Sequence, residues 1–175
     1  MQPDRLQPRL DLTMADIQRA TNVLVGKPLW RCLRAADMAM FDFGNRKKVP
    51  GLRGEWKEVG DFALHVQCAW RLTRQDRVIV GSTDLYYPAS YQEDDQVPSD
   101  FDWDEEPNLR DKRLVSLFEG GTREFMVEKV QPGLAGSLYI SLHDGLSLEL
   151  FPEHSLRKEH WRLFVPSTEQ RHFVV

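Results

Sequence analysis

Acidic side chains are concentrated between residues 93 and 106. This segment has no lysine or arginine, and its eight carboxylates are Glu93, Asp94, Asp95, Asp100, Asp102, Asp104, Glu105 and Glu106. Solvation by water explains the carboxylates but not the large aromatic rings among them. Charge can steer a basic partner to such a segment, and a buried ring can then hold it. The candidate partner-binding residues are Tyr91, Asp100, Phe101, Asp102, Trp103, Asp104 and Glu105.

Part of this segment resembles the opening of a calcium-binding EF-hand loop, in which alternating carboxylates converge on one ion. The alternation here is Asp100-x-Asp102-x-Asp104. Glu105 occupies the sixth position, where the sharp turn of such a loop needs glycine. Asp111 occupies the twelfth position, where a bidentate glutamate is usual. The sequence therefore favours a solvated acidic loop over a calcium site.

A second candidate site lies on the polar face of a predicted strand at residues 62–73. The apolar face of this strand carries Leu64, Val66, Cys68, Trp70 and Leu72, in the period of two that is typical of a half-buried strand. His65, Gln67 and Arg71 lie on the other face. A surface row of hydrogen-bonding groups is the usual interpretation. The alternative is a ligand-contacting row in a small hydrolase or ligand-binding enzyme.

The sequence contains none of the common catalytic or nucleotide-binding signatures that we sought, namely GxxxxGK[ST], GxGxxG, HExxH and GxSxG. His154 and His160 are six positions apart, a spacing that does not place two side chains on one helical face. A polar loop is favoured there over a joint metal site. We therefore assign no catalytic residue and expect neither a metal nor a cofactor.

The remaining pattern predicts an α+β fold with a mainly antiparallel, meandering sheet of about eight strands and two short helices. The first helix is predicted at 13–22. The second follows the acidic segment, with Leu109, Leu114, Val115 and Phe118 on one face and Gly120-Gly121 at its end. We expect one domain over residues 1–175, with a polar tail at 1–10, a basic connector at 44–60 and an acidic surface loop at 92–107. Residues 92–107 are called the acidic loop below.

Net charge and apolar run length restrict the compartment and the partners. The formal charge is −4, and the chain without the eight carboxylates of the acidic loop carries about +4. A negative chain argues against general nucleic-acid binding. The first residues lack the apolar core of a signal peptide, and no apolar run approaches the length of a membrane span. We expect a cytoplasmic protein that does not enter membranes, with Cys32 and Cys68 as reduced core thiols.

Two stretches of the sequence resemble small uncharacterised bacterial cytosolic proteins. The first, at residues 60–72, contains the string LHVQCAWR and is followed by Gly81-Ser82-Thr83-Asp84-Leu85. The second begins at Phe151-Pro152, contains the string EHWRLFVP at 159–166 and ends at His172-Phe173-Val174-Val175. Strings similar to the second also occur in proteins that resemble immunity partners of secreted bacterial toxins. The resemblance covers about half of the chain and implies no catalytic residue.

These observations predict a protein-binding module that acts through the acidic loop on a basic protein. The resemblance implies an immunity-type inhibitor of a basic toxin as one form of this function. The alternative is the small hydrolase or ligand-binding enzyme that uses His65, Gln67 and Arg71. Self-association of the chain is a further open alternative for the partner.

Overall fold

The computed structural model describes residues 12–51 and 53–175. Two α-helices form in these residues, α1 (Met14–Thr21) and α2 (Leu109–Leu117). The strands are β1 (Pro28–Ala35), β2 (Met38–Phe43), β3 (Lys47–Pro50), β4 (Trp56–Val59), β5 (Phe62–Val66), β6 (Ala69–Arg74), β7 (Arg77–Gly81), β8 (Phe125–Pro132), β9 (Leu138–Leu142), β10 (Leu146–Phe151), β11 (Trp161–Phe164) and β12 (Phe173–Val174). The expected polar tail at 1–10 lies outside the described residues. None of the described helices is long and apolar enough to cross a membrane.

Ten of the strands form one antiparallel sheet in the order β12-β11-β5-β2-β1-β8-β9-β10-β6-β7, and β3 pairs with β4 in a separate hairpin. The predicted α+β class with a mainly antiparallel sheet is confirmed. The number of strands is higher than the predicted eight, partly because the expected connector at 44–60 contains the hairpin. Both strands of this hairpin are largely exposed, so no apolar alternation marks them in the sequence.

The predicted strand at 62–73 is divided into β5 and β6 by a two-residue corner at Gln67 and Cys68. The backbone N–H groups of both corner residues donate to the carbonyl oxygen of His160, at 2.8 and 3.1 Å. Although only two residues connect them, β5 and β6 are separated by five strands in the sheet order. A short connection between such distant positions requires the sheet to curl until the part that contains β5 and the part that contains β6 come close together.

The core lies between the two facing parts of the curled sheet. The ring of Phe41 on β2 meets the ring of Trp70 on β6 edge-on, with centroids 5.2 Å apart. The five predicted apolar-face residues of the divided strand are buried: Leu64, Val66, Cys68, Trp70 and Leu72. The alternation of burial therefore continues through the corner, and the predicted orientation of this segment is confirmed.

Each α-helix begins at a residue whose side chain caps it. Thr13 Oγ1 accepts from the backbone N–H of Asp16 at 3.2 Å, and Asp16 Oδ2 accepts from the N–H of Thr13 at 3.1 Å, which together form a capping box. Asn108 Oδ1 accepts from the N–H of Asp111 at 2.9 Å at the start of α2. The predicted helix at 13–22 is confirmed within one residue at each end.

The buried face of α2 differs from the one that the sequence predicts. Leu114 and Phe118 are buried, but Val115 is 64% exposed, so its predicted place on the apolar face is wrong. The third member of the buried row is Arg110, four residues before Leu114 and only 1% exposed. Residues four apart share a helical face, so an arginine, which the sequence did not place there, completes the buried face of α2.

Replacing Trp70 with alanine should lower the free energy of unfolding by about 3–5 kcal/mol, because a buried ring is lost and a cavity is left. Trp56 is the matched control, since it is 71% exposed on β4 and its removal should change stability by less than about 0.5 kcal/mol. Urea denaturation of both variants measures the difference. Equal effects of the two substitutions would contradict the assignment of the core.

Cys32 and Cys68 are both free of disulfides; Cys68 is buried, whereas Cys32 is only half-buried against the core and not inside it as predicted. Burial raises the pKa of each thiol to about 12. Because the thiolate is the reactive form, iodoacetamide at about pH 8 should alkylate them at least about tenfold more slowly in the native protein than in urea. Mass spectrometry without reductant should find two free thiols. Rapid native alkylation, or a mass two hydrogens lower, would show that the thiols are not enclosed and reduced.

Candidate functional site

The acidic loop leaves the body of the protein between the turn at Ser82–Tyr86 and α2. The two chain segments at its base are paired. The N–H of Ala89 donates to the carbonyl of Pro107 at 2.8 Å, and the N–H of Leu109 donates to the carbonyl of Tyr87 at 2.8 Å. The base of the loop, residues 86–89 and 107–109, is therefore closed by backbone hydrogen bonds. It is called the stem below, and the acidic residues project from it.

Trp103 folds back onto the stem of the loop. Its ring meets the ring of Tyr86 edge-on, with centroids 5.7 Å apart, and its carbonyl accepts from Asn108 Nδ2 at 3.4 Å. Trp103 and Phe101 are both half-buried. The sequence left open whether these aromatics cover the sheet or face a partner. Trp103 packs beside Tyr86 instead of covering the sheet. Tyr86 is itself 47% exposed, so part of this aromatic pair remains accessible to solvent.

An arginine from β1 anchors the acidic loop. Arg34 Nη1 lies 2.6 Å from Asp104 Oδ1, and Arg34 Nε lies 2.8 Å from Asp111 Oδ2. The hydrogen bond with Asp104 raises the pKa of Arg34 above its usual value. Of the eight loop carboxylates, Asp104 alone forms an ion pair within residues 12–51 and 53–175. Sequence inspection missed Arg34, because it lies 70 residues before Asp104.

Three other carboxylates hold the shape of the loop. The carboxylate of Asp95 accepts from the N–H of Gln92 at 2.9 Å. That of Asp102 accepts from the N–H of Asp104 at 3.0 Å, and that of Glu106 accepts from the N–H of Asp102 at 3.1 Å. Side-chain oxygens that cap backbone N–H groups stabilise turns. These carboxylates are therefore structural as well as solvated.

A cleft of about 410 Å³ opens between the acidic loop and the stem. Its wall contains two aromatic rings and three carboxylates, which belong to Tyr91, Phe101, Asp95, Asp100 and Glu106. The ring of Tyr91 is supported by that of Tyr87, with centroids 4.7 Å apart. Aromatic faces and carboxylates both attract a cation, and apolar walls accommodate the aliphatic part of a lysine or arginine side chain.

The second candidate row begins with His65, whose Nδ1 lies 3.2 Å from Arg162 Nη2. Burial lowers the pKa of His65 to about 4, and the positive charge of Arg162 contributes. The imidazole is thus neutral at physiological pH, and its Nδ1 accepts a hydrogen bond from the guanidinium. The ring of Phe164 packs edge-on against His65, with centroids 4.7 Å apart.

Of the three residues in the predicted row, His65 and Gln67 are connected in the structure, whereas Arg71 is not. Glu159 Oε1 accepts from Gln67 Nε2 at 3.1 Å and lies 3.4 Å from Arg162 Nε, which links Gln67 to His65 through Arg162. Arg71 lies beyond the corner on β6, where its Nε is 2.7 Å from Glu149 Oε2. Sequence inspection missed Glu159 and Arg162, because they come from the start of β11 and the residues just before it, which are distant in the chain.

His154 and His160 lie close together in the segment between β10 and β11, with ring centroids 4.3 Å apart. Helical spacing did not predict this contact, because the segment is an irregular loop that turns back on itself. Within the part of the chain that the structure describes, no group of three or more His, Cys, Asp or Glu side chains is arranged to hold a metal ion.

Replacing Trp103 with alanine should lower the free energy of unfolding by about 1–2 kcal/mol, because the half-buried ring loses its contact with Tyr86. This effect is smaller than the one expected for Trp70. Urea denaturation provides the measurement. A loss as large as that of Trp70→Ala would assign Trp103 to the core instead of the stem of the loop.

We compared the chain with known proteins in three ways. No model of a known protein family matches the sequence, no curated protein has a significantly similar sequence, and no solved structure is significantly similar in fold.

Proposed function

We propose that this protein is a binding module whose acidic loop docks a basic protein. The observation that carries the proposal is the cleft in the loop. Its wall places Tyr91 and Phe101 together with Asp95, Asp100 and Glu106. None of these three carboxylates is ion-paired within the described residues. The cleft takes a lysine or arginine side chain of the partner.

Charge and burial have different roles in this function. Exposed ion pairs contribute only about 0–1 kcal/mol each, so the carboxylates chiefly steer the encounter and raise the association rate. The affinity comes from the side chain that enters the cleft, where contact of a cation with an aromatic ring contributes about 0.5–2 kcal/mol. A few central contacts of this kind usually dominate an interface.

The anchored loop supports this function because it presents a preformed surface. The ion pair of Arg34 with Asp104 and the contact of Trp103 with Tyr86 hold the loop against the body. A loop that is already ordered loses less conformational entropy on binding, which favours affinity. Asp104 and Trp103 are therefore positioning residues for the cleft.

A basic toxin is the partner that the sequence resemblance favours, which makes an immunity-type inhibitor the specific form of the proposal. Such an inhibitor covers a positively charged surface of the toxin with its own carboxylates. The eight carboxylates of the acidic loop supply that charge, while the rest of the chain carries about +4.

The test compares two substitutions that change the charge of the loop equally. Asp100→Asn removes a carboxylate from the cleft wall, whereas Asp94→Asn removes one outside it. Asp94 has a φ of 75°, a conformation that asparagine also tolerates. Binding of a tetra-arginine peptide, followed by NMR titration, should weaken at least about tenfold in the first variant and less than about threefold in the second.

The melting temperatures of both variants should match that of the wild type, and binding should weaken as salt rises, because salt screens exposed charges. Equal weakening by the two substitutions would show non-specific attraction to the loop and would contradict the cleft. A wild-type protein that does not bind the peptide would overturn the proposed function.

A further inference from the structure

A second large cleft, of about 390 Å³, opens beside α1 and is called the α1 cleft below. Its wall comes from the start of α1, the turn at 133–136 between β8 and β9, the loop at 154–158 with His160, and Val175. This volume lies within the range of about 300–1,000 Å³ that is typical of small-molecule sites. Among the described residues, those of the acidic loop take no part in this wall, so the two clefts are separate.

Exposed apolar side chains gather around the α1 cleft. Leu134 is 81% exposed, and Met14 and Leu156 are at least half exposed, although the three belong to different segments of the chain. Ile17, which is part of the core, also contributes to the wall. Single exposed apolar side chains are common on protein surfaces, but several around one concave surface indicate a binding site.

The wall of the α1 cleft is held by contacts that form without a ligand. Trp161 Nε1 donates to the carbonyl of Gly136 at 2.8 Å, and the N–H of His160 donates to the carbonyl of Val175 at 2.7 Å. Gly136 lies so close to Val175 that a Cβ on this glycine would be 2.6 Å from Val175 Cγ1. A preformed wall loses little conformational entropy when a ligand binds.

The charged side chains of this wall are positive. Arg157 and Lys158 both line the α1 cleft and are exposed, and neither forms an ion pair within the described residues. The neighbouring glutamates are directed elsewhere. Glu159 Oε1 accepts from Gln67 Nε2 at 3.1 Å, and Glu153 borders a different cleft. An anion near Arg157 and Lys158 is therefore attracted by two accessible cations.

We propose that the α1 cleft binds an amphipathic anion with a single aliphatic chain, such as a fatty-acid carboxylate. The chain lies against the apolar wall, and the anionic head lies beside Arg157 and Lys158. Arginine and lysine both bind carboxylate and phosphate oxygens. An engineered cavity of about 150 Å³ holds benzene, so the larger α1 cleft has room for a chain of about eight carbons. This site does not depend on the function proposed for the acidic loop.

Four probes separate the contributions of the chain and the charge. Octanoate and octyl phosphate carry both, octan-1-ol has the chain without the charge, and butyrate has the charge on a short chain. Each is titrated into the whole protein at constant ionic strength and followed by NMR, and the amides of Leu134, Ala135 and Leu156 should shift saturably. Octanoate should bind at least about tenfold more tightly than octan-1-ol or butyrate, because only octanoate uses both parts of the wall.

Two double variants test the cations. Arg157→Gln combined with Lys158→Gln removes both charges from the wall and should weaken octanoate at least about tenfold, with little effect on octan-1-ol. Lys48→Gln combined with Arg77→Gln is the matched control, because these two exposed cations lie outside the wall. The control should bind octanoate within about twofold of the wild type.

A further pair of variants tests the apolar wall. Leu134→Ser should weaken octanoate and octan-1-ol alike, at least about threefold, because both lose contact with the same side chain. Val115→Ser is its control, since Val115 is exposed on α2 outside the wall, and it should bind both probes like the wild type.

Tighter binding of octanoate than of octyl phosphate assigns a carboxylate head, and the reverse order assigns a phosphate head; either supports the proposal. The proposal is overturned if no probe gives saturable shifts in the wild type, if octan-1-ol binds as tightly as octanoate, or if the two double variants weaken octanoate equally. Shifts of the same amides that depend on protein concentration without a probe would assign this wall to a second copy of the chain and would also overturn it.

Discussion

The two-residue corner between β5 and β6 is the constraint on which the rest of the structure depends. Gln67 and Cys68 share one acceptor, the carbonyl oxygen of His160, and so tie the start of β11 to the point where the chain changes from one part of the sheet to the other. Five strands lie between β5 and β6 in the sheet order, yet the chain joins them directly. The curl that follows encloses Phe41 and Trp70 and makes one continuous sheet serve as both walls of the core.

The acidic loop and the residues that anchor it occupy one neighbourhood outside this core. The turn at Ser82–Tyr86 follows β7, the last strand of the sheet order, and the acidic loop and α2 follow it. Tyr86 connects the acidic loop with the start of α2, because its ring meets Trp103 and the residue lines a small cleft together with Arg110. Arg34 reaches the same region from β1 and bonds both Asp104 and Asp111. Two arginines, Arg34 and Arg110, thus lie beside the carboxylate of Asp111, with Arg34 Nε 2.8 Å from Oδ2 and Arg110 Nε 3.6 Å from Oδ1.

The acidic loop and Arg110 carry opposite charges in different surroundings. The acidic loop presents unpaired carboxylates to solvent, where water screens them and where they act mainly at long range. The guanidinium of Arg110 lies in a buried position, where screening is weak and hydrogen bonds to a charged group are strong. The loop therefore suits a large basic partner.

Local patterns in the sequence were sufficient for the fold class, the helix α1, the alternation of burial from Leu64 to Leu72, and the position of the acidic loop. These features depend on interactions between residues close in the chain, such as the capping box of Thr13 and Asp16. The corner at Gln67, the exposed hairpin at 44–60, the anchoring of Asp104 by Arg34, the division of the polar row and the buried Arg110 were decided by the tertiary structure. Most of these features depend on a partner tens of residues away in the chain. The hairpin depends instead on two exposed strands that have no apolar alternation. Neither kind of interaction produces a periodic pattern in the sequence. Its contribution to the free energy of folding appears only when the segments pack together in the folded protein.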